Sequence, residues 1–170
     1  MAAARYLDDF AGELRKIGER AFRRRYAVPV LIVTGRATAS KRRRPSSELR
    51  TAAERPDVIR ALVGRVYLLV KPPDASVGPV LIGRAEGNEV DVVIPDHSIS
   101  KRHCAVAALE EGATIVDCGS TNGTAVNGTP IARASMVHLA GGETITLGRV
   151  QTTFETPAGF LALVSGMVQA

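Results

Sequence analysis

Nine short apolar or alternating runs follow one another from Val58 onward, and they constrain the fold more than any other feature of the chain. Turn-forming residues, mostly Gly, Pro, Asn or Asp, separate the runs. Because no helical period lies between them, the runs favour an antiparallel β-sandwich over βαβ units. Aromatic residues make up only 4% of the chain and Trp is absent, so Val, Ile, Leu and Ala must fill the core. The runs are VYLLV (66–70), PVLIGR (79–84), VDVVI (90–94), CAVAAL (104–109), ATIVD (113–117), TAVN (124–127), MVHL (136–139), TITLG (144–148) and VQTTF (150–154).

The region before these runs has a different texture. Phe10, Leu14, Ile17 and Ala21 recur at spacings of three and four, which predicts an amphipathic helix of about five turns. From 34 to 56 the chain is rich in Arg, Ser, Thr and Ala without a hydrophobic period, so we expect an exposed, mobile, basic linker. The sequence therefore divides into an N-terminal helix with a basic segment (1–57), a sandwich domain (58–157) and a C-terminal extension (158–170). The closing stretch, GFLALVSGMVQA, fits either a last strand or a short helix.

Positive charge is concentrated in the N-terminal region. Residues 1–57 carry 14 Lys and Arg against 7 Asp and Glu, whereas residues 58–170 carry 8 against 10. The basic clusters at 23–25 and 41–44 leave open that this region binds nucleic acid or an anionic membrane surface. A solvated linker whose charge favours solubility is the preferred interpretation, and nucleic acid is not the expected partner.

Cysteine and histidine usage bounds the compartment and the chemistry. Cys104 and Cys118 are the two cysteines, the start of the chain shows no apolar signal-peptide core, and no apolar run approaches the ~20 residues that span a bilayer. We therefore expect a cytoplasmic protein without a membrane span, with both thiols free and buried. His97, His103 and His138 have no ligand-like spacing with the cysteines, so no metal or other cofactor is expected.

Several motifs occur in a fixed order inside the predicted sandwich. They are Ile82-Gly83-Arg84, SISKRH (98–103), GSTNGT (119–124), Asn127-Gly128, and a closing set with Gly142-Glu143 and Ile145-Thr146-Leu147-Gly148. This ordered set, over about residues 62–157, resembles the forkhead-associated (FHA) family. The resemblance implies an all-β FHA-type sandwich of about eleven strands, whose loops at one end bind a phosphothreonine. It also implies a non-enzymatic interaction module in Ser/Thr kinase signalling, with a kinase or a kinase substrate as partner.

The resemblance assigns roles to individual residues. Arg84, Ser100 and Lys101 match the phosphate-binding positions, with Lys101 standing where the family commonly has Arg or Asn. Thr121 and Asn122 match positions that contact the peptide, and Gly83, His103, Gly123 and Asn127 match positions that support the site. The chemistry agrees, because a phosphate monoester brings about −1.5 to −2 charge and three acceptor oxygens. A guanidinium, a hydroxyl and an ammonium on two loops suit such a group.

Three further hypotheses follow from the sequence. A nucleophilic site of Ser100, His103 and Cys104 is disfavoured, because adjacent residues of a strand point to opposite faces, so His103 and Cys104 would not pair. A phosphorylated Thr38 or Thr51 in the basic segment would be a self-supplied ligand of high effective concentration. The spacer before Ile82 is shorter than is usual in FHA domains, so the second strand would be either stunted or supplied by AVPVLIV at 27–33.

Overall fold

Residues 5–37, 58–84 and 89–169 of the chain are described by a computed structural model. Within these ranges, two packed β-sheets form the body of the molecule, and two of three helices cover the outer face of the larger sheet. Most of the predicted basic linker, at 38–57, lies outside the described residues. In chain order the elements are β1 (Arg5–Tyr6), α1 (Leu7–Arg25), β2 (Val30–Arg36), α2 (Val58–Leu62), β3 (Arg65–Leu68), β4 (Val80–Gly83), β5 (Val92–Val93), β6 (Cys104–Ala108), β7 (Ala113–Asp117), β8 (Thr124–Val126), β9 (Thr129–Pro130), β10 (Met136–Leu139), β11 (Thr144–Leu147), β12 (Val150–Glu155) and α3 (Pro157–Gln169).

The two sheets confirm the predicted sandwich. The larger has the order β1-β3-β2-β12-β11-β8-β9 and the smaller has the order β10-β7-β6-β4-β5. Each of the nine predicted runs contains one strand. Among the described strands, only β4 and β5 pair in parallel, with Ile82 opposite Val92. The sandwich is therefore mostly antiparallel.

A strand from the N-terminal region lies inside the larger sheet. β2 pairs with β12 on one side, from Val30 opposite Glu155 to Arg36 opposite Val150, and with β3 on the other. The AVPVLIV run thus does supply a strand to the sandwich. The sequence-based division at residue 58 falls between β2 and β3, which are paired neighbours.

β2 is buried on both faces, which explains its continuous apolar run. Leu31 and Val33 face the core between the two sheets, whereas Val30 and Ile32 face a second core beneath the helices. In that second core, the ring of Phe160 from α3 lies 5.1 Å from the ring of Phe10 in α1, centroid to centroid. The alternation of side chains along one strand therefore joins the two cores.

The helices differ in two respects from what the periodicity of the sequence predicts. α1 covers the predicted helix, but Gly18 has φ 76° and ψ 162°, so the helix is interrupted there. The ambiguous C-terminal stretch is helical, as α3, and it packs against α1. Among the described helices, none combines the length and the apolar character that crossing a bilayer requires.

Candidate functional site

Four segments meet at one end of the sandwich, which we call the loop end. They are Arg84 after β4, the β5–β6 loop, the β7–β8 turn and the β11–β12 turn. Direct bonds join them: Gly148 N–H donates to Gly123 O at 3.1 Å, and Arg149 N–H donates to Ser98 Oγ at 2.9 Å. The segments therefore form one connected surface.

Arg84 is fixed at the loop end by the end of β4. A Cβ added to Gly83 would overlap the carbonyl of Lys101, so only glycine allows the two segments to approach this closely. The backbone N–H of Arg84 donates to Ser100 O at 3.0 Å, and Nε donates to Ile99 O at 3.1 Å. A guanidinium has five N–H donors, so four remain on its terminal nitrogens. None of the ion pairs among the described residues involves Arg84.

Ser100 and Thr121 connect the β5–β6 loop to the β7–β8 turn. Thr121 N–H donates to Ser100 Oγ at 3.0 Å, and the two hydroxyl oxygens lie 3.4 Å apart. Lys101 is exposed beside them. Arg84, Ser100, Lys101 and Thr121 are thus brought together from three segments that are distant in the sequence.

His103 braces this arrangement from below and is completely buried. Its Nδ1 accepts the Ser100 N–H at 3.0 Å, which requires an unprotonated Nδ1, so Nε2 carries the hydrogen and donates to Gly123 O at 3.2 Å. Burial lowers the pKa of His103, outweighing the opposing effects of the Gly123 carbonyl and the Asp117 charge. The ring is therefore a neutral bridge between two loops.

Asn122 lies on the exposed rim of the β7–β8 turn. Its Nδ2 donates to Ser98 O at 2.8 Å. Among the described residues no partner is bound to its Oδ1, so that oxygen is available as an acceptor at the surface. Asn127, with φ 49°, and Gly128, with φ 80°, form the next turn, where Asn127 Oδ1 accepts the Thr144 N–H at 2.9 Å. The first Asn-Gly pair thus belongs to the loop end and the second to the hairpin that follows it.

Asp117 and Ser98 organise the loops, and sequence reasoning missed both. Asp117 accepts from Gly119 N–H, Ser120 N–H, Ser120 Oγ and Thr124 Oγ1 at 2.6 to 2.8 Å. Burial alone would raise the pKa of Asp117, but these hydrogen bonds lower it overall. An Asp two residues before Gly at a strand end is an Asx-turn signal that could have identified it. Ser98 is 5% exposed and donates from Oγ to Asp96.

The cysteines differ from the expectation that both are buried. Cys104 is buried and free, but Cys118 is free and exposed, because it lies just past β7 where the turn leaves the core. Burial raises the pKa of the Cys104 thiol far above its usual range, so it is not a thiolate nucleophile. Among the described residues no cluster of three or more His, Cys, Asp or Glu is arranged to hold a metal ion.

These features define a class of protein: a β-sandwich interaction domain with a cationic, hydroxyl-bearing site built from loops. Residues 80–148 match the FHA domain family, and the match contains Arg84, Ser100, His103 and Asn122. Residues 80–148 of the chain are thus similar to FHA domains, which are phosphothreonine-binding modules.

Two relatives from Mycobacterium tuberculosis (strain ATCC 25618 / H37Rv) share this region. The ABC transporter ATP-binding/permease protein Rv1747 is 39% identical over 77 residues, or 45% of this chain. The FHA domain-containing protein FhaA is 35% identical over 85 residues, or 50% of this chain. The aligned regions make up 8% and 14% of those two proteins.

A solved structure supports the fold. The FHA domain of the CT664 protein from Chlamydia trachomatis superposes with a TM-score of 0.50. The superposition covers 75% of this chain and 96% of that one, at 19% identity. At this level of identity the likeness concerns the fold.

Proposed function

We propose that the loop end binds a phosphothreonine of a partner protein and thereby serves as a phosphorylation-dependent interaction module. The observation that carries the proposal is the state of Arg84. Its backbone N–H and Nε are bonded to the β5–β6 loop, while its two terminal nitrogens face no carboxylate among the described residues. A guanidinium held this way is preorganised for a bidentate phosphate contact.

The neighbouring residues complete the proposed contacts. The Ser100 hydroxyl hydrogen has only a long 3.4 Å contact to Thr121 Oγ1, so it can turn toward a phosphate oxygen. Lys101 adds a mobile positive charge. Asn122 Oδ1 can accept a backbone N–H of the bound segment, and Thr121 lies between the phosphate and that segment. Gly83, His103, Gly123 and Asn127 support the loops.

The proposal is tested by calorimetry with a phosphothreonine peptide library and the unphosphorylated peptides. We expect micromolar binding of phosphorylated peptides only. Equal affinity for both forms, measured on a protein with an intact far-UV circular dichroism spectrum, would reject the proposal.

The proposed partner is a Ser/Thr kinase or one of its substrates. A self-supplied ligand is a second candidate, which one observation favours. The last described residue before the basic segment, Ala37, donates its N–H to Arg149 O at 2.9 Å, and the Arg149 N–H is bonded to Ser98. The segment bearing Thr38 and Thr51 therefore begins at the loop end.

Self-recognition is tested by phosphorylating the chain with a basophilic kinase. We expect weaker binding of an added phosphopeptide, or a larger particle by light scattering, and we expect Thr38→Ala together with Thr51→Ala to abolish the effect. Unchanged peptide affinity and unchanged particle size after confirmed phosphorylation would reject this partner.

We also propose that the module acts without catalysis, in the cytoplasm. The buried, doubly bonded His103 and the buried Cys104 support the first proposal, and two free cysteines support the second. The alternative, an FHA scaffold with a degenerate site whose basic N-terminal segment binds nucleic acid or an anionic surface, is not favoured. Of its basic clusters, 41–44 lies outside the described residues, and in 23–25 the Arg25 side chain pairs with Glu13 at 3.1 Å.

A further inference from the structure

The loop end carries more positive charge than one phosphate group needs. With Arg84 and Lys101 assigned to the phosphate, Arg102 and Arg133 remain nearby as exposed side chains. A phosphate monoester carries no more than about −2 charge, which the first two cations already balance. The other two are therefore available for a second negatively charged group.

Arg133 reaches the β7–β8 turn from the loop between β9 and β10. Ile131 N–H donates to Thr124 O at 2.9 Å, which brings that loop back to the level where the turn ends. From there Arg133 extends so that its Nη2 lies 3.7 Å from the position of a Cβ on Gly119. Its guanidinium thus lies against the same turn that bears Thr121 and Asn122.

Arg102 approaches the same turn from the β5–β6 loop. The backbone N–H of Cys118 donates to His103 O at 2.9 Å, which sets the segment of the β5–β6 loop that contains Arg102 against Cys118. In agreement, burial raises the pKa of the Cys118 thiol, and the Arg102 charge lowers it by a smaller amount. Cys118 and Gly119 are consecutive, so Arg102 and Arg133 both lie beside one short stretch of the turn. Arg102 follows Lys101 directly and is thus adjacent to the proposed phosphate contact.

The carboxylates of the described loop end do not neutralise these two arginines. Asp96 is 4% exposed and accepts both from the backbone N–H and from the hydroxyl of Ser98. Asp117 is occupied by its four hydrogen bonds within the turn. The ion pairs among the described residues involve neither Arg102 nor Arg133.

We propose that Arg102 and Arg133 form a specificity pair that recognises carboxylate side chains next to the phosphothreonine of the bound segment. This inference rests on the proposed function and narrows its ligand to acidic phosphothreonine segments. Because both arginines are exposed, each ion pair should strengthen binding by about twofold to fivefold, and added salt should weaken the preference.

The test uses two sets of phosphothreonine peptides, one with Glu and one with Gln beside the phosphothreonine. Each set places these residues on the N-terminal side, on the C-terminal side or on both sides. Unphosphorylated peptides with Glu form a third set. Fluorescence anisotropy at low and high salt measures the affinity of the wild type, Arg102→Ala, Arg133→Ala and Arg133→Glu. Arg23→Ala is the matched control. Arg23 lies in the last turn of α1, which precedes the start of β2, and β2 itself extends about 20 Å from its start to the loop end, well beyond the screening length at physiological salt.

In the wild type we expect at least one Glu-flanked phosphopeptide to bind about threefold to tenfold more tightly than its Gln counterpart. Each Arg→Ala change should reduce this ratio, and Arg133→Glu should invert it. Arg23→Ala should leave the ratio unchanged. Equal affinity for Glu and Gln phosphopeptides overturns the specificity pair and leaves phosphothreonine binding intact. Equal affinity for phosphorylated and unphosphorylated Glu peptides overturns the proposed function itself.

Discussion

At the scale of single residues, Arg84 combines a fixed backbone with terminal nitrogens that form no ion pair within the described part of the chain. We predict that Arg84→Ala abolishes phosphothreonine binding, because charge-assisted hydrogen bonds contribute about 1.5–3 kcal/mol each and a bidentate contact has two of them. Arg84→Lys should restore little of the affinity, since an ammonium cannot form the two parallel hydrogen bonds that a guanidinium makes to a phosphate. Calorimetry with a phosphothreonine peptide checks both variants.

The control for this prediction is the stability of the Arg84→Ala variant. Within the described residues Arg84 makes one side-chain bond, from Nε to Ile99 O, so the free energy of unfolding of Arg84→Ala should fall by no more than about 3 kcal/mol. A variant that stays folded and binds the phosphopeptide within threefold of the wild type would show that phosphate recognition lies elsewhere.

His103 predicts how stability depends on pH. The folded protein lowers the pKa of its imidazole, so the folded state binds fewer protons than the unfolded state, where the pKa is about 6.5. The contribution of neutral His103 to the free energy of unfolding is therefore complete above about pH 6.5. It is lost as the pH falls through the pKa of the folded state, and the free energy of unfolding then changes by at most about 1.4 kcal/mol per pH unit. Urea unfolding between pH 7.5 and 5 measures it.

Variants of the two other histidines serve as controls for the pH experiment. His97→Gln and His138→Gln should keep the decline in stability below about pH 6.5, whereas His103→Gln should be less stable at pH 7.5 and should lose the decline. If His103→Gln and the wild type have the same slope between pH 6.5 and 5, His103 is not the titrating group. Stability is the better readout here, because the phosphate itself titrates near pH 6.

At the scale of elements, the end of β4 crosses the β5–β6 loop at Gly83. We predict that Gly83→Ala lowers the free energy of unfolding by about 1–3 kcal/mol and weakens phosphopeptide binding, because the added methyl displaces the carbonyl of Lys101 and with it Ser100. Thermal unfolding and calorimetry measure the two effects.

Gly166→Ala is the matched control for this prediction. A Cβ at Gly166 meets nothing within 4 Å, and the residue lies inside α3, so the same change should stabilise the protein by up to about 1 kcal/mol. If Gly83→Ala is as stable as the wild type, the close approach at β4 does not constrain the site.

The elements also show what the sequence could predict. Alternating apolar residues and turn signals located nine strands, because both are local properties of the chain. β2 was harder to place, because a strand buried on both faces has no alternation and its neighbours β3 and β12 are distant in sequence. The ordered motifs located the segments of the site, but the hydrogen bonds of Asp117 and Ser98 and the approach of Arg133 to Gly119 depend on tertiary structure. The exposure of Cys118 and the break at Gly18 depend on it as well.

At the scale of the whole molecule, the N-terminal region and the sandwich share one central strand. β2 separates the core between the sheets from the core beneath α1 and α3, and it contributes side chains to both. We predict that removing residues 1–37 leaves a chain that neither unfolds cooperatively nor binds phosphopeptide, because β3 and β12 lose their common neighbour. Circular dichroism during urea unfolding checks the first outcome and calorimetry the second.

A point variant tests whether the two cores unfold together, without shortening the chain. Phe160 is fully buried beneath α1, in the helix that follows the end of β12 away from the loop end, and Phe160→Ala should lower the free energy of unfolding by about 3–5 kcal/mol. If the two cores form one cooperative unit, the unfolding midpoints followed by the backbone signal and by the tyrosine signal will shift together to a lower urea concentration. Phosphopeptide binding will be lost over the same range of urea concentration. If the helical layer were a separate unit, its signals would disappear first and binding would persist, since the Arg84 site lies wholly in the sandwich.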